Sequence, residues 1–373
     1  MVTIFKRLSG AVAMAVLLGS SAIAQDAYKI GALFPMSGQT ASIGEQHLRA
    51  TMLAIEQINA DKVLKKPIEL VLEDSQAQAQ VAVIAMNKLV SITRVPVVLT
   101  SISGVTKAIT PLGARGEVLV LNVAASSPDL AGLSPYLYSV IPLADGQVST
   151  LLPYLAGKKN IKKIALVYVD DPLGQGIARV LSKDAPKNGQ EIVASFALSS
   201  STSQFASVAT KLRESGAEAV FVAYQGGDLL VSLVKQLRDN GVNAPVVGVA
   251  TLGYQSLIAD PASEGMIYVS QKADWSAKDP LTRRFVEGFR QKFGVDPIPY
   301  DANFYNAIMI LAKALSELER SGKEVTGRAI RDKFLEIRSF AIIGGELELR
   351  DDGTVTVPEQ INIVEGKAVH VLQ

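Results

Sequence analysis

Short apolar runs alternate with amphipathic segments along most of this chain, and this alternation restricts the fold more than any other feature. Apolar runs with the length of buried strands occur at 30–33, 68–72, 95–99 and 118–121. Between them, apolar residues recur at helical spacing, as in the segment 48–58. Buried strands that alternate with covering helices predict a parallel sheet, so the chain belongs to the α/β class.

The alternation restarts after Pro142 and continues to about residue 269, which predicts a second lobe of the same build. A chain of 373 residues has room for two domains of roughly 100–200 residues each. Beyond the second lobe, helical patterns occur at 281–292, 303–318 and 326–337. The last residues alternate about a turn at 365–367, as in a hairpin.

Two lobes without a long flexible linker predict stiff chain crossings, and several crossings make a hinge. We place them near 141–143, 271–275 and 351–358. The predicted fold is therefore two Rossmann-like parallel-sheet lobes joined by a three-crossing hinge. The first lobe is predicted at 25–143 plus 275–352, and the second lobe at 144–274 plus 353–373.

The first 24 residues have the pattern of a cleaved secretory signal peptide. Lys6 and Arg7 precede an apolar run at 11–18, and Ala22-Ile23-Ala24 forms the small-x-small site that signal peptidase recognises. The apolar run is shorter than the ~20 residues that a membrane-spanning helix needs. Because the chain has no cysteine, we expect no lipid anchor and a mature protein that is free in the periplasm.

Charge and composition exclude several classes of function. The formal net charge is +1, so there is no basic field to hold nucleic acid or an anionic membrane surface. The lack of cysteine and the presence of only two histidines argue against zinc and thiolate chemistry, and no GxSxG elbow, P-loop, HExxH or EF-hand loop occurs. We therefore expect no cofactor, and an enzyme would need carboxylates that no motif marks, so a secreted α/β enzyme stays an open alternative.

Ligands of open parallel sheets bind beyond the carboxyl ends of the strands, so the residues that follow each strand are the candidates. In the first lobe, the segment 100–106 contains Ser103 and Gly104 and begins a helix, where hydroxyls and free N–H groups suit an anion. The alternative interpretation is ordinary helix capping. Small residues, including Ala125, follow the next strand at 122–128 and would let a ligand approach the backbone.

The second lobe offers weaker candidates after its strands. Tyr224 and Gln225 follow one strand, and Asp228 is placed to cap the next helix, which is its more common role. Asp170-Asp171 could act as acid/base or metal carboxylates, but the proline and glycine beside them favour an exposed turn. Trp275 near the second crossing could stack on a ligand, although packing under the hinge is the default.

Several motifs resemble the leucine/isoleucine/valine-type periplasmic solute-binding proteins of ABC transporters. The matching segments cover nearly the whole mature chain and are 30–38, 54–60, 73–74, 120–128, 164–176, 204–212, 236–241 and 262–266. The resemblance implies the type I periplasmic binding fold, in which two lobes close on a small ligand. It also implies delivery to an inner-membrane ABC permease with its ATPase subunits, by a protein that is usually a monomer.

The resemblance also implies how a carboxylate is bound. In this family a serine hydroxyl after one strand, and an alanine backbone and a threonine hydroxyl after the next strand, hold the carboxylate of an amino acid. Ser103, Ala124 and Ser126 match these positions, and Gly104 and Ala125 lie beside them. Ser126 replaces the usual threonine but keeps the hydroxyl.

The other half of the family's pocket departs from the pattern. Ile43, Leu173 and Gly227 match the pocket tyrosines, and Ala250 matches the acidic residue that holds the ammonium group. A buried ammonium without a counter-charge costs several kcal/mol. The ligand would then be an aromatic or aliphatic carboxylic acid without an ammonium group.

Three alternatives stay open for the ligand and the partner. In the first, the ligand is an amino acid and Asp228 binds its ammonium group. In the second, it is an organic acid whose tail contacts Tyr224 and Gln225. In the third, the protein is a ligand-sensing subunit of a membrane receptor instead of a permease partner.

Overall fold

The computed structural model describes residues 26–372, so the predicted signal peptide at 1–24 lies outside the described residues. Among residues 26–372, no helix is both long and apolar enough to span a membrane. The described chain folds into two α/β lobes, each built on its own sheet, and a small third sheet lies beside the first lobe.

The first lobe contains a five-stranded sheet in which all neighbouring strands are parallel, in the order β2-β1-β3-β4-β5. Its strands are β1 (Tyr28–Phe34), β2 (Ile68–Asp74), β3 (Val97–Thr100), β4 (Leu119–Asn122) and β5 (Leu137–Ser139). The helices between them are α1 (Ala41–Ala60), α2 (Ala79–Lys88), which a π-helical turn extends, and α3 (Ser103–Gly116). Every residue of β3 and β4 is buried, as expected for central strands covered on both faces.

The second lobe begins with α4 and contains a seven-stranded sheet in the order β15-β14-β10-β9-β8-β6-β7. Its helices are α4 (Ala144–Lys158), α5 (Pro172–Asp184), α6 (Ala206–Glu214), α7 (Asp228–Asp239) and the short α8 (Gln255–Ile258). Its parallel strands are β6 (Lys163–Val169), β7 (Glu191–Leu198), β8 (Ala219–Ala223), β9 (Val246–Gly248) and β10 (Ile267–Gln271).

After β10 the chain returns to the first lobe, adds helices and the small sheet, and ends on the second sheet. The helices are α9 (Pro280–Phe293), α10 (Pro299–Arg320) and α11 (Gly327–Ile337), and the small sheet contains β11 (Ser339–Ile342), β12 (Gly345–Leu349) and β13 (Val355–Thr356). The antiparallel strands β14 (Glu359–Glu365) and β15 (Ala368–Val371) then form the edge of the second sheet.

The chain therefore crosses between the lobes three times: after β5, after β10, and between β13 and β14. This confirms the predicted fold class. The exact lobe boundaries stay a prediction. Trp275 packs near Phe285 in the first-lobe core, with their ring centroids 6.1 Å apart.

Helix α10 completes the core of the first lobe by packing across α1. Phe304 meets the β1 residue Phe34 edge to face at 5.3 Å, and the ring of His47 on α1 stacks on Phe304 at 4.1 Å. Burial lowers the pKa of His47 to about 3, so this histidine is a neutral core residue. The hydroxyl of Tyr305 donates to Gln57 at 2.5 Å and fixes the register of the two helices.

Candidate functional site

A cavity of about 490 Å³ lies between the two lobes, at the carboxyl ends of their parallel strands. This is where open α/β sheets bind ligands, and the volume is within the usual range of roughly 300–1,000 Å³ for small-molecule sites. The first lobe lines it with Ser37, Gly38, Gln39, Thr40, Gln76, Ala77, Gln78, Ala79, Ile102 and Gly104. The second lobe contributes Val169, Asp171, Ser200, Tyr224, Gln225, Gly226 and Leu229.

Three helices of the first lobe begin at this cavity without a capping side chain. The N-cap residues of α1, α2 and α3 are Thr40, Gln78 and Ile102, and none of them makes a side-chain capping hydrogen bond. The alternative interpretation of the hydroxyls at α3, ordinary capping, is therefore wrong. First-turn N–H groups without a capping side chain, at the positive end of a helix, are suited to an anion.

The two segments predicted to hold a carboxylate lie next to each other. β3 and β4 pair in parallel, and the Ser103 hydroxyl accepts a hydrogen bond from the Ser127 backbone N–H at 3.2 Å, which joins the start of α3 to the loop after β4. Asn122 braces that loop by hydrogen bonds to the backbone of Ala125 at 2.7 and 2.8 Å. Ser126 in this loop is only 3% exposed.

The start of α3 also contains a polar group without a partner. The Ser101 hydroxyl is buried and makes no hydrogen bond to any residue within 26–372. A buried hydroxyl without a partner destabilises the fold by about 1–3 kcal/mol. A ligand that forms a hydrogen bond with this hydroxyl would recover that cost. Gly104 lines the cavity, whereas Ser103, Ala124, Ala125 and Ser126 are buried and are not part of its wall.

Asp171 is the acidic group of the second-lobe wall. The exposed turn predicted for Asp170-Asp171 is found at Asp170, which is exposed, whereas Asp171 is half-buried. It caps α5, where its Oδ1 accepts hydrogen bonds from the N–H groups of Leu173 and Gly174 at 2.9 and 3.0 Å. Its Oδ2 accepts a hydrogen bond from Gln225 Nε2 at 2.7 Å. Burial is the main effect on this carboxyl and raises its pKa above the ordinary value.

Tyr224 and Gln225 follow β8 and line the cavity, as expected for residues beyond the carboxyl end of a parallel strand. Their contacts with a ligand stay a prediction. The Tyr224 hydroxyl donates to the Ser199 carbonyl at 3.2 Å, and burial together with the charge of Asp171 raises the pKa of Tyr224. Gly226 must be glycine, because a Cβ there would lie 2.2 Å from the ring of Tyr254.

Asp228 lies in a different groove from the cavity. It is the first residue of α7, the N-cap is Gly227 with a φ of 88°, and no side chain caps this helix. The predicted capping role of Asp228 is therefore wrong. The carboxylate is exposed in a groove that Gln46 and Arg49 also line. Because Asp228 is not part of the cavity wall, its role as an ammonium partner stays a prediction.

The remaining positions assigned by resemblance are not on the cavity wall. Ile43 is buried against Gly227, Leu173 is buried in the second-lobe core, and the Ala250 N–H donates to Gln147 Oε1 at 3.0 Å. Their ligand contacts stay predictions.

Tyr254 of the second lobe packs into the core of the first lobe, and no sequence pattern indicated this. Its ring stacks on Tyr300 of α10 at 4.9 Å, with an angle of 15° between the ring planes. The Ser127 hydroxyl also donates across the lobes to the Pro172 carbonyl at 2.6 Å. The lobes are thus in direct contact at two places.

Two α/β lobes that meet over a cavity and are joined by three crossings define a two-lobed binding protein of the type I periplasmic fold. Residues 27–368 match the family model described as periplasmic binding protein. The chain therefore belongs to this family, and its resemblance to the leucine/isoleucine/valine type is confirmed.

Curated relatives of the chain match it over most of its length. The leucine-, isoleucine-, valine-, threonine- and alanine-binding protein of Pseudomonas aeruginosa is 25% identical over 341 residues, which are 89% of this chain and 90% of the relative. The leucine-specific-binding protein of Salmonella typhimurium is also 25% identical, over 315 residues, and 83% of each chain is covered.

Solved structures share the fold at low sequence identity. A leucine binding protein from Thermotoga maritima has a TM-score of 0.84 at 20% identity, with 92% of this chain and 97% of that chain covered. A solute binding protein of an ABC transporter from R. palustris, in complex with benzoate, has a TM-score of 0.83 at 18% identity, with 93% and 96% covered.

Proposed function

We propose that this protein is the periplasmic solute-binding component of an ABC importer and captures a small carboxylate-bearing ligand, an amino acid or a related organic acid. The observation that carries the proposal is the start of α3, which reaches the cavity at Gly104 without a capping side chain. A ligand carboxylate would accept hydrogen bonds from its free N–H groups and interact favourably with the helix dipole.

The loop after β4 completes the proposed carboxylate site. The hydroxyl of Ser126 and the backbone at Ala124 and Ala125 lie in a loop that Asn122 holds in place, beside Ser103. A site that is ordered before the ligand arrives loses less entropy on binding. Ligand contacts to both lobes would favour the closed state and so signal occupancy.

The partners follow from the transport role. A protein exported by the predicted signal peptide would deliver its ligand to an inner-membrane permease that ATPase subunits drive, and it would perform no chemistry on the ligand. A sensing subunit for a membrane receptor is the alternative partner role. Pull-down of the protein with its neighbouring membrane components, permease or receptor, distinguishes the two.

The ligand class has a second candidate, an aromatic or aliphatic acid without an ammonium group. It is supported by Ala250, which stands where the family's ammonium-binding acid is expected, and whose N–H is already bonded to Gln147. A thermal-shift panel separates the classes on protein that was unfolded and refolded to remove carried-over ligand. A ligand present at 100 times its Kd adds about 2.7 kcal/mol of stability.

We expect Ser126→Ala to weaken binding of the best ligand from that panel by about 1.5–3 kcal/mol, because it removes one hydrogen bond to a carboxylate. Isothermal titration calorimetry at fixed pH measures the change in Kd. Ser149→Ala is the control, since Ser149 is exposed on α4 and its hydroxyl donates to the Asp145 carbonyl of its own helix. Equal affinities for the wild type and Ser126→Ala would reject this placement of the carboxylate.

A further inference from the structure

We propose that Asp171 binds a positively charged nitrogen of the ligand, so that the cavity selects a zwitterion, an amino acid, over a simple carboxylic acid. This inference rests on the proposed function, because it takes the ligand carboxylate to be bound by the first lobe. It assigns the ammonium group to a residue other than Ala250 or Asp228.

The electrostatic polarity of the cavity is the first argument. The first lobe presents the positive ends of α1, α2 and α3, each without a capping side chain. The second lobe presents the carboxylate of Asp171. Among the described residues that line the cavity, none is Lys, Arg or His. The Asp171 carboxylate would repel an anionic ligand, and no cation on the cavity wall among the described residues would compensate. In a zwitterion, the carboxylate can interact with the helix ends of the first lobe and the ammonium group with Asp171.

The hydrogen-bond capacity of Asp171 is the second argument. Oδ1 already accepts two backbone N–H groups, but Oδ2 accepts only the Gln225 amide among the described residues. A carboxylate oxygen has about two acceptor positions, so Oδ2 can accept one more donor. Gln225 and the helix cap together fix the orientation of the carboxylate, and a bound cation would offset the cost of its burial.

The third argument is the close approach between the start of α3 and the turn that carries Asp171. A Cβ built on Gly104, at the start of α3, would lie 3.7 Å from Cδ of Pro172, the residue after Asp171. The start of α3 therefore approaches the turn that carries Asp171 across the cleft. Such proximity suits an amino acid, in which the ammonium and carboxylate groups share one carbon. Asp228 lies outside this cavity, in the groove with Arg49.

The test compares Asp171→Asn with Asp170→Asn, two variants with the same change in charge at adjacent positions. Asparagine is as good an N-cap as aspartate, so Asp171→Asn keeps the start of α5. Asp170 is exposed and bonded to Gln175 at 2.8 Å. The probes are L-leucine, L-phenylalanine and L-glutamine, each paired with its counterpart that lacks the ammonium group: 4-methylpentanoate, 3-phenylpropanoate and 4-carbamoylbutanoate.

We expect at least one amino acid to bind the wild type, with its counterpart about 10- to 100-fold weaker, the effect of one charged hydrogen bond. Asp171→Asn should reduce the affinity for that amino acid by a similar factor and leave the counterpart equal or tighter, whereas Asp170→Asn should change neither. Circular dichroism melting of both variants confirms that they are folded.

The outcomes separate the two proposals. If the counterparts bind as tightly as the amino acids, and Asp171→Asn does not change this, the role of Asp171 is overturned and the proposed carboxylate site survives. If an amino acid binds equally well to Asp171→Asn and the wild type, the ammonium group is bound elsewhere and the assignment also fails. If no carboxylate of either series binds, the proposed function itself is overturned.

Discussion

Replacing Gly174 with alanine is expected to destabilise the protein by at least about 3 kcal/mol, because the added methyl group overlaps the backbone. A Cβ at Gly174 would lie 1.9 Å from the Val169 carbonyl oxygen and 3.0 Å from the Tyr168 ring. Neither atom is the free end of a flexible side chain, so the turn between β6 and α5 must move. That turn carries Asp171, whose Oδ1 accepts the Gly174 N–H at 3.0 Å.

The matched control is Gly157→Ala in α4, where a Cβ would meet no atom within 4 Å. Alanine is a better helix former than glycine, so this variant should be more stable by about 0.5–1 kcal/mol. Urea unfolding followed by circular dichroism gives both free energies on one scale. A Gly174→Ala protein as stable as the wild type would show that the start of α5 can shift freely, contrary to the close packing described here.

Regular elements with a strong apolar pattern could be predicted from the sequence, and weakly patterned ones could not. The apolar runs at 30–33 and 68–72, predicted as buried strands, are found within β1 and β2. Helix α4 was missed because Pro153 and two glycines interrupt its pattern, yet it buries Leu151, Leu152 and Leu155. β5 and β13 have three and two residues, too few to show a period of two, and tertiary pairing alone defines them.

The candidate site was predictable where function depends on position along a strand, but not where it depends on burial. Strand ends led directly to Gly104, Tyr224 and Gln225, which line the cavity. The partial burial of Asp171 was missed because proline and glycine beside a carboxylate are typical of a surface turn. Its hydrogen bond with the Gln225 amide spans more than 50 positions and leaves no local pattern. Tyr254 was missed for the same reason, since its partner Tyr300 belongs to the other lobe.

Glu359 is a largely buried carboxyl group near the hinge. It begins β14 directly after the third crossing, and its Oε2 accepts a hydrogen bond from the Thr150 hydroxyl at 3.0 Å. Its Oε1 is buried and has no hydrogen-bond partner among residues 26–372. Burial, and to a smaller extent the charge of Asp145, raise the pKa of Glu359 to about 7.

The sign of the resulting pH dependence follows from proton linkage. The folded protein holds the Glu359 proton up to about pH 7, whereas the unfolded chain releases it near the ordinary glutamate pKa of 4.5. The folded state therefore binds more protons between these values, and stability falls as the pH rises through this window. At about 1.4 kcal/mol for each pKa unit, the ionised carboxylate costs about 3 kcal/mol above pH 7.

Glu359→Gln is therefore expected to stabilise the protein by about 3 kcal/mol at pH 8 and by much less at pH 5, because glutamine never ionises and can keep the contact with Thr150. Urea unfolding at both pH values measures the difference. Glu365→Gln is the control, since Glu365 is exposed at the other end of β14. If the increase in the free energy of unfolding is equal at pH 5 and pH 8, or if the control shows the same increase, ionisation of Glu359 is not the cause of the lower stability at high pH.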